Sequence, residues 1–262
     1  MIIEVNDKKS REEFLLLPQS LYKNDPNFIS PLHKEIDSIF NPRLNNFYTH
    51  GICKRWILKK ENIPIGRIAA FINYEKNKNP ELIIGGIGFF ECINDEPAAF
   101  KLFETAKQWL QQNDAIGMDG PINFGENDKF WGLLIEGFVP PGAGMNYNPE
   151  YYRKFFENYG FKTLYEQYTN VIHVAKPFPD RFAKIADWIA SKPEYSFVHF
   201  DNRHFEKFAN DFMEIYNDAW SDFENFVPIR PDTIKRSFKE MKPIVDEKII
   251  WFAYYKNEPV AF

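Results

Sequence analysis

The sequence predicts an α/β (α+β) chain, because segments with strand spacing and segments with helix spacing alternate along it. The segment 81–92, ELIIGGIGFFEC, is predicted as a central strand, since apolar residues point to both of its faces. The segment 97–112 is predicted as an amphipathic helix with Asp95 placed to cap its start. A third observation, a repeated pattern around two tryptophans, predicts a tandem-repeat architecture.

Strand alternation divides the predicted central strand into two faces. One face carries Ile87, Phe89 and Glu91. The other face carries Gly88, Phe90 and Cys92. The glycines at 85, 86 and 88 predict a bulge or a close approach of another backbone.

The remaining elements follow from the same spacing rules. Further strands are predicted at 65–73, 116–118, 163–174, 249–255 and 259–262, the third of these closing the first sheet. Two more helices are predicted at 205–219 and 231–241.

An internal repeat suggests a second copy of part of the fold. The segments 56–66, WILKKENIPIG, and 251–261, WFAYYKNEPVA, share Trp, Asn and Pro at equal spacing, and both are predicted as hairpins. A weaker echo relates NFI at 27–29 to NFV at 225–227. We therefore expect one domain at 1–175 and the N-terminal half of a related domain at 176–262. Either the chain is a fragment of a longer protein, or this half-copy completes its sheet against the first copy or, in a homodimer, against another subunit.

Composition argues against several classes of function. The formal charge is −5, and no basic cluster alternates with aromatics, which argues against nucleic-acid binding. Cys53 and Cys92 are too few for a disulfide framework or a structural zinc site, and the five histidines show no metal-ligand spacing. No signal peptide and no apolar run of about 20 residues is present, which predicts a soluble cytoplasmic protein. The 27 phenylalanines favour large buried faces and an apolar groove.

The segment 148–161, NPEYYRKFFENYGF, has helical spacing of its aromatic residues and a glycine at the position of a C-terminal cap. It resembles the last conserved element of the GNAT acyltransferase superfamily, aromatic-Tyr-x-x-x-Gly-Phe, with Phe156 in place of the family's tyrosine. The resemblance implies a GNAT-like acyl-CoA N-acyltransferase fold, a mixed central sheet flanked by helices. It also implies acyl transfer from coenzyme A to an amine. The alternative is that this aromatic stripe only fills a core.

Family members hold the pyrophosphate of coenzyme A with a glycine-containing loop between the central strand and the long helix. Here that loop reads CINDEPA at 92–98, in which Pro97 removes a donor and Asp95 and Glu96 carry negative charge. The acids are also explained as ordinary helix capping. We expect acetyl-CoA or another acyl-CoA to bind this copy weakly or not at all. The positions that correspond to cofactor contacts are Cys92, Asn94 and Phe156.

Two residues are candidates for catalysis. Glu91 lies on the central strand, where lost hydration would raise its pKa toward that of a useful base, although it could instead pair with Arg67. Tyr152 lies one turn before Phe156 and could supply a proton in place of the absent tyrosine, or could be a core aromatic. Tyr151 is expected to point elsewhere by helical geometry.

The polar loop at 120–128 follows a strand and could border a binding crevice. Asn123 and Asn127 are its candidate substrate contacts, although asparagine and glycine also simply form turns. Together these observations predict an N-acyltransferase acting on a small-molecule or peptide amine. The alternative is a catalytically degenerate GNAT-like module that binds a ligand or partner.

Overall fold

The computed structural model describes residues 1–77, 79, 81–124, 129–222, 226 and 228–262. The chain forms two compact units, Met1–Glu166 and Gln167–Phe262. The two units are described separately.

Unit 1 contains five strands and four α-helices in its described part. They are β1 (Ile2–Glu4), α1 (Lys8–Leu21), α2 (His33–Ile39), β2 (Gly51–Lys60), β3 (Ile63–Asn73), β4 (Ile84–Cys92), α3 (Glu96–Gln111), β5 (Gly117–Asp119) and α4 (Tyr152–Tyr159). A short 3₁₀ turn, Asn46–Thr49, precedes β2.

The five strands of unit 1 form one mixed sheet in the order β1-β2-β3-β4-β5. Pairs from β1 to β4 are antiparallel, whereas β5 runs parallel to β4 after the crossover helix α3. The elements run from two helices and a hairpin to the central strand β4, the long helix α3, the strand β5 and the helix α4. The expectation of a mixed sheet flanked by helices is confirmed.

Local sequence explains where these helices begin and end. The Asp95 carboxylate accepts a hydrogen bond from the Ala98 amide at 3.2 Å, so it caps α3 as expected. Helix α4 ends at Gly160, whose φ of 112° lies in the left-handed region. Both helices predicted from spacing and capping are confirmed.

Both faces of the sheet are covered by helices. One face packs against α3 and α4, and its core includes Ile68, Ile87, Phe90, Leu102, Phe103 and Phe156. The other face packs against α1 and α2, and its core includes Phe14, Ile36, Phe40, Ile57, Phe89 and Phe130. The prediction that β4 is a central strand covered on each side is therefore confirmed.

A bulge in β4 changes which face its residues reach. Arg67 lies opposite Glu91 and Ala69 opposite Gly88, so β4 has one extra residue between these pairs. Phe89 has a φ of 50° at this point. The prediction that Ile87 and Phe89 share a face is wrong, because the bulge turns Phe89 toward α1 and α2 while Ile87 stays toward α3.

The predicted closing strand at 163–174 is also wrong. Residues 161–173 have no helix or strand assignment, and the side chains of Leu164, Val171 and Val174 are exposed. Alternating apolar residues become a strand only when a neighbouring edge offers hydrogen bonds. Within the described ranges no strand pairs with this segment.

Unit 2 contains a second sheet with its own helices. Its described elements are α5 (Asp180–Ala190), β6 (Tyr195–His199), α6 (Phe205–Trp220), α7 (Pro231–Met241), β7 (Trp251–Tyr255) and β8 (Glu258–Ala261). The strands are antiparallel in the order β6-β7-β8. Helices α6 and α7 and the final hairpin are confirmed, whereas α5 and β6 were not predicted.

The two hairpins correspond residue by residue. Trp56 pairs with the last residue of β1, and Trp251 pairs with the last residue of β6. Each hairpin has two turn residues with positive φ, Glu61 and Asn62 in the first and Lys256 and Asn257 in the second. This correspondence is what a tandem repeat requires, and the repeat itself stays a prediction. The 27–29 echo cannot be compared, since 225 and 227 lie outside the described residues.

The two tryptophans differ in burial because their surroundings differ. Trp56 is 6% exposed and packs against Trp109 of α3 with ring centroids 5.9 Å apart, whereas Trp251 is 52% exposed. The ring of Trp251 instead lies edge-on to the imidazole of His199, with centroids 5.8 Å apart.

A substitution at Gly88 tests the close backbone approach beside the bulge. A Cβ atom at this position would lie 1.9 Å from the carbonyl oxygen of Ile122. We expect Gly88→Ala to destabilise unit 1 by about 1–3 kcal/mol, because a backbone atom cannot move aside as a side chain can. The measurement is hydrogen exchange of the β3 and β4 amides along a urea series.

Gly117→Ala is the matched control on the neighbouring strand. Its Cβ would meet only the flexible end of Ile84, at 2.7 Å, so the loss should stay below about 1 kcal/mol. Equal destabilisation by the two substitutions would contradict the close approach at Gly88.

Candidate functional site

A buried carboxylate lies at the centre of the candidate site. Oε2 of Glu91 accepts hydrogen bonds from the hydroxyls of Tyr22 at 2.7 Å and Tyr152 at 2.9 Å. The Nη2 atom of Arg67 lies 3.5 Å from Oε1 of the same carboxylate. All four side chains are buried, and we call them the Glu91 cluster.

Three elements bring partners to Glu91 on β4. Tyr22 follows α1, where its amide donates to the carbonyl of Pro18 at 2.9 Å. Arg67 lies directly opposite Glu91 on β3. Tyr152 begins α4, the helix that the aromatic spacing predicted. The cluster therefore depends on residues far apart in the chain.

Two of the three guanidinium nitrogens of Arg67 have hydrogen-bond partners. Its Nη1 donates to the carbonyl of Phe14 at 2.6 Å, and its guanidinium lies over the Phe14 ring, 4.7 Å from the centroid. Its buried Nε has no hydrogen-bond partner among the described residues. The expected pairing of Glu91 with Arg67 on the neighbouring strand is confirmed, and the role of Glu91 as a base stays a prediction.

Burial dominates the protonation equilibria of the cluster. It raises the pKa of Glu91 above its usual range, although Arg67 and the two tyrosine hydroxyls act in the opposite direction. Burial also raises the pKa values of Tyr22 and Tyr152 well above 10, with the Glu91 charge as the second cause. The site thus holds a carboxylate suited to accepting a proton beside phenols that keep theirs at neutral pH.

The hydroxyls of Tyr151 and Tyr152 also form hydrogen bonds with the backbone of Cys92. Tyr152 accepts a hydrogen bond from the Cys92 amide at 2.7 Å, and Tyr151 donates to the Cys92 carbonyl at 2.8 Å. The expectation that Tyr151 points elsewhere is wrong. Tyr151 already has right-handed helical backbone angles at the N-cap, but its long side chain still reaches the end of β4.

A small cavity adjoins the cluster. Its volume is about 40 Å³, and its polar lining residues are Arg67, Glu91, Asn146, Tyr147 and Tyr152. The apolar part of its wall includes Phe28, Ile29, Phe89, Phe130, Leu133 and Met145. Sites for organic ligands typically measure about 300–1,000 Å³, so a substrate would enter only if the wall moved.

The three candidate cofactor residues lie in different surroundings, and their role in cofactor binding stays a prediction. Phe156 is buried in the core, where it contacts Phe90 and Phe103 at centroid distances of 5.4 and 4.8 Å. Asn94 is exposed in the turn before α3. Burial raises the pKa of the Cys92 thiol to about 12, so this thiol is a poor nucleophile at neutral pH.

The start of α3 is occupied by its own acids. Asp95 caps the helix, and Oε1 of Glu96 accepts a hydrogen bond from Nδ2 of Asn158 at 2.6 Å. This is the capping arrangement that explained the acidic pair. It leaves negative charge where a pyrophosphate would otherwise meet free amides.

The candidate substrate loop is described only in part. Asn123 is buried, and its Nδ2 donates to the carbonyl of Lys129, which is the behaviour of a residue that holds a turn. Asn127 lies outside the described residues. Within the described ranges, no group of His, Cys, Asp or Glu side chains could hold a metal ion. In the same ranges, no helix is both long and apolar enough to cross a bilayer.

Sequence reasoning missed Tyr22 and Tyr151. Tyr22 lies 69 positions before Glu91, so no local sequence pattern indicates the hydrogen bond from its hydroxyl to that carboxylate. The sequence does contain one indication for Tyr151. It directly precedes Tyr152, and two consecutive tyrosines at the start of a helix can both reach the end of the same strand.

Two curated proteins are similar to nearly the whole chain. It is 27% identical over 272 residues to the "Bacterial ceramide synthase" of Caulobacter vibrioides, covering 98% of this chain and 67% of that protein. It is 28% identical over 266 residues to "Protein YghO" of Escherichia coli, covering 98% of this chain and 65% of that protein. The chain spans about two thirds of the length of these relatives. No protein-family model matches it.

Solved structures with partial similarity include acetyltransferases. A predicted acetyltransferase with acetyl-CoA from Clostridium acetobutylicum is 14% identical, with a TM-score of 0.40 and coverage of 65% of this chain and 96% of that chain. An aminoglycoside 6'-N-acetyltransferase from Acinetobacter haemolyticus is 11% identical, with a TM-score of 0.38 and coverage of 68% and 99%.

Coenzyme A binding tests the structure of the α3 start. We expect unit 1 to bind coenzyme A with a Kd well above the micromolar level, which corresponds to about −8 kcal/mol. Neutralising the acids with Asp95→Asn and Glu96→Gln should tighten binding, whereas Glu104→Gln further along α3 should not. Calorimetry measures the affinity.

Hydrogen exchange localises any binding that calorimetry detects. Submicromolar binding with protection of the 93–98 amides in the unmodified chain would contradict this interpretation of the α3 start.

Proposed function

We propose that this chain carries an N-acyltransferase activity, in which an acyl group passes from a coenzyme A thioester to an amine. The observation that carries the proposal is the Glu91 cluster, a buried carboxylate that accepts hydrogen bonds from two phenols and lines a small cavity together with one of them, Tyr152. The GNAT-like topology of unit 1 supports it. The ceramide synthase relative supports it as well, because a ceramide is an amide of a fatty acid.

In the proposed reaction the amine nitrogen attacks the thioester carbonyl. A carbon–nitrogen bond forms, the carbon–sulfur bond breaks, and the products are an amide and a free thiol. Glu91 accepts the proton that the nitrogen loses, and Tyr152 gives a proton to the departing thiolate. The 2.9 Å hydrogen bond between them lets the proton on Glu91 return to Tyr152, which restores both groups.

Acetyl-CoA or another acyl-CoA is the proposed donor, with Cys92, Asn94 and Phe156 as its proposed contacts. The amide and the carbonyl of Cys92 are already hydrogen-bonded to tyrosine hydroxyls, which limits how this donor binds. An extended pantetheine arm would have to displace Tyr151 or bind without these backbone groups. The donor would then be held mainly through its acyl and thioester parts, and correct placement of amine and thioester would supply most of the rate.

The second candidate function is a non-catalytic module that binds a ligand. Three observations favour it: Phe156 lies in the core, the α3 start carries its own acids, and the Cys92 backbone is already paired. Such a module would bind an amine at the Glu91 cluster without turnover.

Substitutions at the two catalytic candidates test the transferase. Thiol release from acyl-CoA is measured across a panel of amines, and Glu91→Gln and Tyr152→Phe should each lower the rate by about 10²–10⁴. Tyr159→Phe is the matched control on the same helix, because its hydroxyl contacts Glu104 and not the cluster. Near-normal turnover in both cluster variants would refute the assigned roles, and absence of turnover in the unmodified chain would favour the binding module.

The pH dependence provides an independent test of Glu91. A base works in its ionised form, so activity should fall as pH falls through the pKa of Glu91, which burial raises above its ordinary value of 4.5. We expect the acidic limb of kcat/KM to lie above pH 4.5 and to disappear in Glu91→Gln. A limb that is unchanged in this variant would assign the titration to another group.

A further inference from the structure

Tyr22 contacts both the Glu91 carboxylate and the wall of the cavity. Its hydroxyl donates to Oε2 of Glu91 at 2.7 Å. Its ring stacks on Phe28 with centroids 4.2 Å apart and planes inclined by 16°, and it meets the ring of Tyr147 edge-on at 5.8 Å. Phe28 and Tyr147 line the cavity, whereas Tyr22 is not among its lining residues. Tyr22 therefore connects the carboxylate to two residues of the wall.

The two phenols that donate to Glu91 are held in different ways. The oxygen of Tyr152 also accepts a hydrogen bond from the Cys92 amide at 2.7 Å, so β4 itself keeps this phenol in place. The ring of Tyr22 lies against Phe28, which belongs to a loop. A movement of this loop would therefore release Tyr22 from Glu91 and leave Tyr152 bound.

Two hydrogen bonds hold this part of the wall closed. Nδ2 of Asn27 donates to the carbonyl of Phe138 at 2.9 Å, and the hydroxyl of Tyr147 donates to Asp25 at 2.7 Å. Each bond joins the loop that follows α1 to the segment before α4. Together they keep the stacking contact with Tyr22 in place while the cavity is small.

We propose that Tyr22 is a positioning residue that makes the protonation of Glu91 depend on the cavity wall. With the wall closed, its hydroxyl donates a hydrogen bond to the ionised carboxylate. A ligand larger than the cavity of about 40 Å³ must move part of the wall, and displacement of Phe28 weakens this hydrogen bond. Glu91 then accepts a proton more readily, because a hydrogen bond donated to a carboxylate favours its ionised form. This inference rests on the proposed function and adds the residue that regulates its base.

The other polar groups around Glu91 do not change their charge at acidic pH. They are Arg67 on β3, Cys92 on β4, and Tyr151 and Tyr152 at the start of α4. Burial raises the pKa values of the Cys92 thiol and the Tyr151 phenol to about 12. Burial lowers the pKa of Arg67 from its usual 12.5, whereas the Glu91 charge raises it. An acidic titration within the cluster therefore reports Glu91.

The titration of Glu91 tests this assignment without an acyl donor. Carbon-13 NMR of protein labelled at the glutamate carboxyl carbons reports glutamates alone, so Asp25 contributes no signal. The signal that is missing from Glu91→Gln identifies Glu91. Tyr22→Phe keeps the ring and removes the hydroxyl, and it should raise the pH midpoint of the Glu91 signal by about one unit, because one hydrogen bond to the ionised form is lost.

Tyr159→Phe is the matched control for this titration. Its hydroxyl contacts Glu104 and not the Glu91 cluster, so its loss should leave the Glu91 midpoint unchanged. A midpoint that is unchanged in Tyr22→Phe, or that rises equally in Tyr159→Phe, would overturn the proposal.

Phe28→Leu tests the link between Tyr22 and the wall. It keeps an apolar side chain at the cavity and removes the ring that stacks on Tyr22, so the Glu91 midpoint should rise, though less than in Tyr22→Phe. In the Tyr22→Phe background it should have no further effect, because the hydroxyl through which it acts is absent. Equal shifts with and without that hydroxyl would overturn the link.

Leu133→Val is the matched control on the cavity wall. Leu133 also lines the cavity, but its substitution removes no ring from Tyr22, so the Glu91 midpoint should stay unchanged. This pair of wall variants decides the question even if Tyr22→Phe does not fold. Equal shifts in Phe28→Leu and Leu133→Val, or no shift in either, would overturn the proposal.

Failure of acyl transfer is distinguishable from failure of this inference. The expected midpoint shifts in a protein that releases no thiol from acyl-CoA would retain Tyr22 as a positioning residue and reject the transferase. Turnover in a protein whose Glu91 midpoint is the same in all variants would retain the transferase and reject the role of Tyr22. In an active chain, the acidic limb of kcat/KM should move upward together with the Glu91 midpoint of each variant.

Discussion

Unit 1 depends above all on the burial of one carboxylate. A buried charge is costly unless paired and hydrogen-bonded, and Glu91 finds its partners on β3, at the end of α1 and at the start of α4. The requirement to satisfy this group therefore ties three elements to the central strand. The same burial that makes the charged carboxylate costly also raises its pKa, and a carboxylate with a raised pKa accepts a proton more readily.

A bulge in β4 positions Glu91 for these contacts. The bulge at Phe89 sends Phe89 toward α1 and α2 and Phe90 toward α3, and the strand then presents Glu91 opposite Arg67. Strand β5 pairs only with the first part of β4, at Ile84–Gly86. Beyond it, the tyrosine hydroxyls of Tyr151 and Tyr152 satisfy the Cys92 backbone in place of a strand, so the edge is closed by side chains.

Fold and activity are separate questions for this chain. The topology of unit 1 matches a fold whose members use a phosphate-binding helix start, yet here that start is filled by Asp95 and Glu96. The side chains that could take part in a reaction lie instead in the Glu91 cluster and its apolar cavity. An explanation of function therefore has to be built from this cluster, since the fold alone supports both a transferase and a binding module.

Elements whose signals lie within a few residues could be predicted from the amino-acid sequence. Caps and helical spacing located α3, α4 and α7, and the turn residues located the two hairpins. Three features could be found only in the folded chain: 163–174 is not a strand, β4 bulges at Phe89, and Tyr22 and Tyr151 join the site. Each of these outcomes depends on a partner distant in sequence, whose edge, hydroxyl or carboxylate is absent from any local pattern.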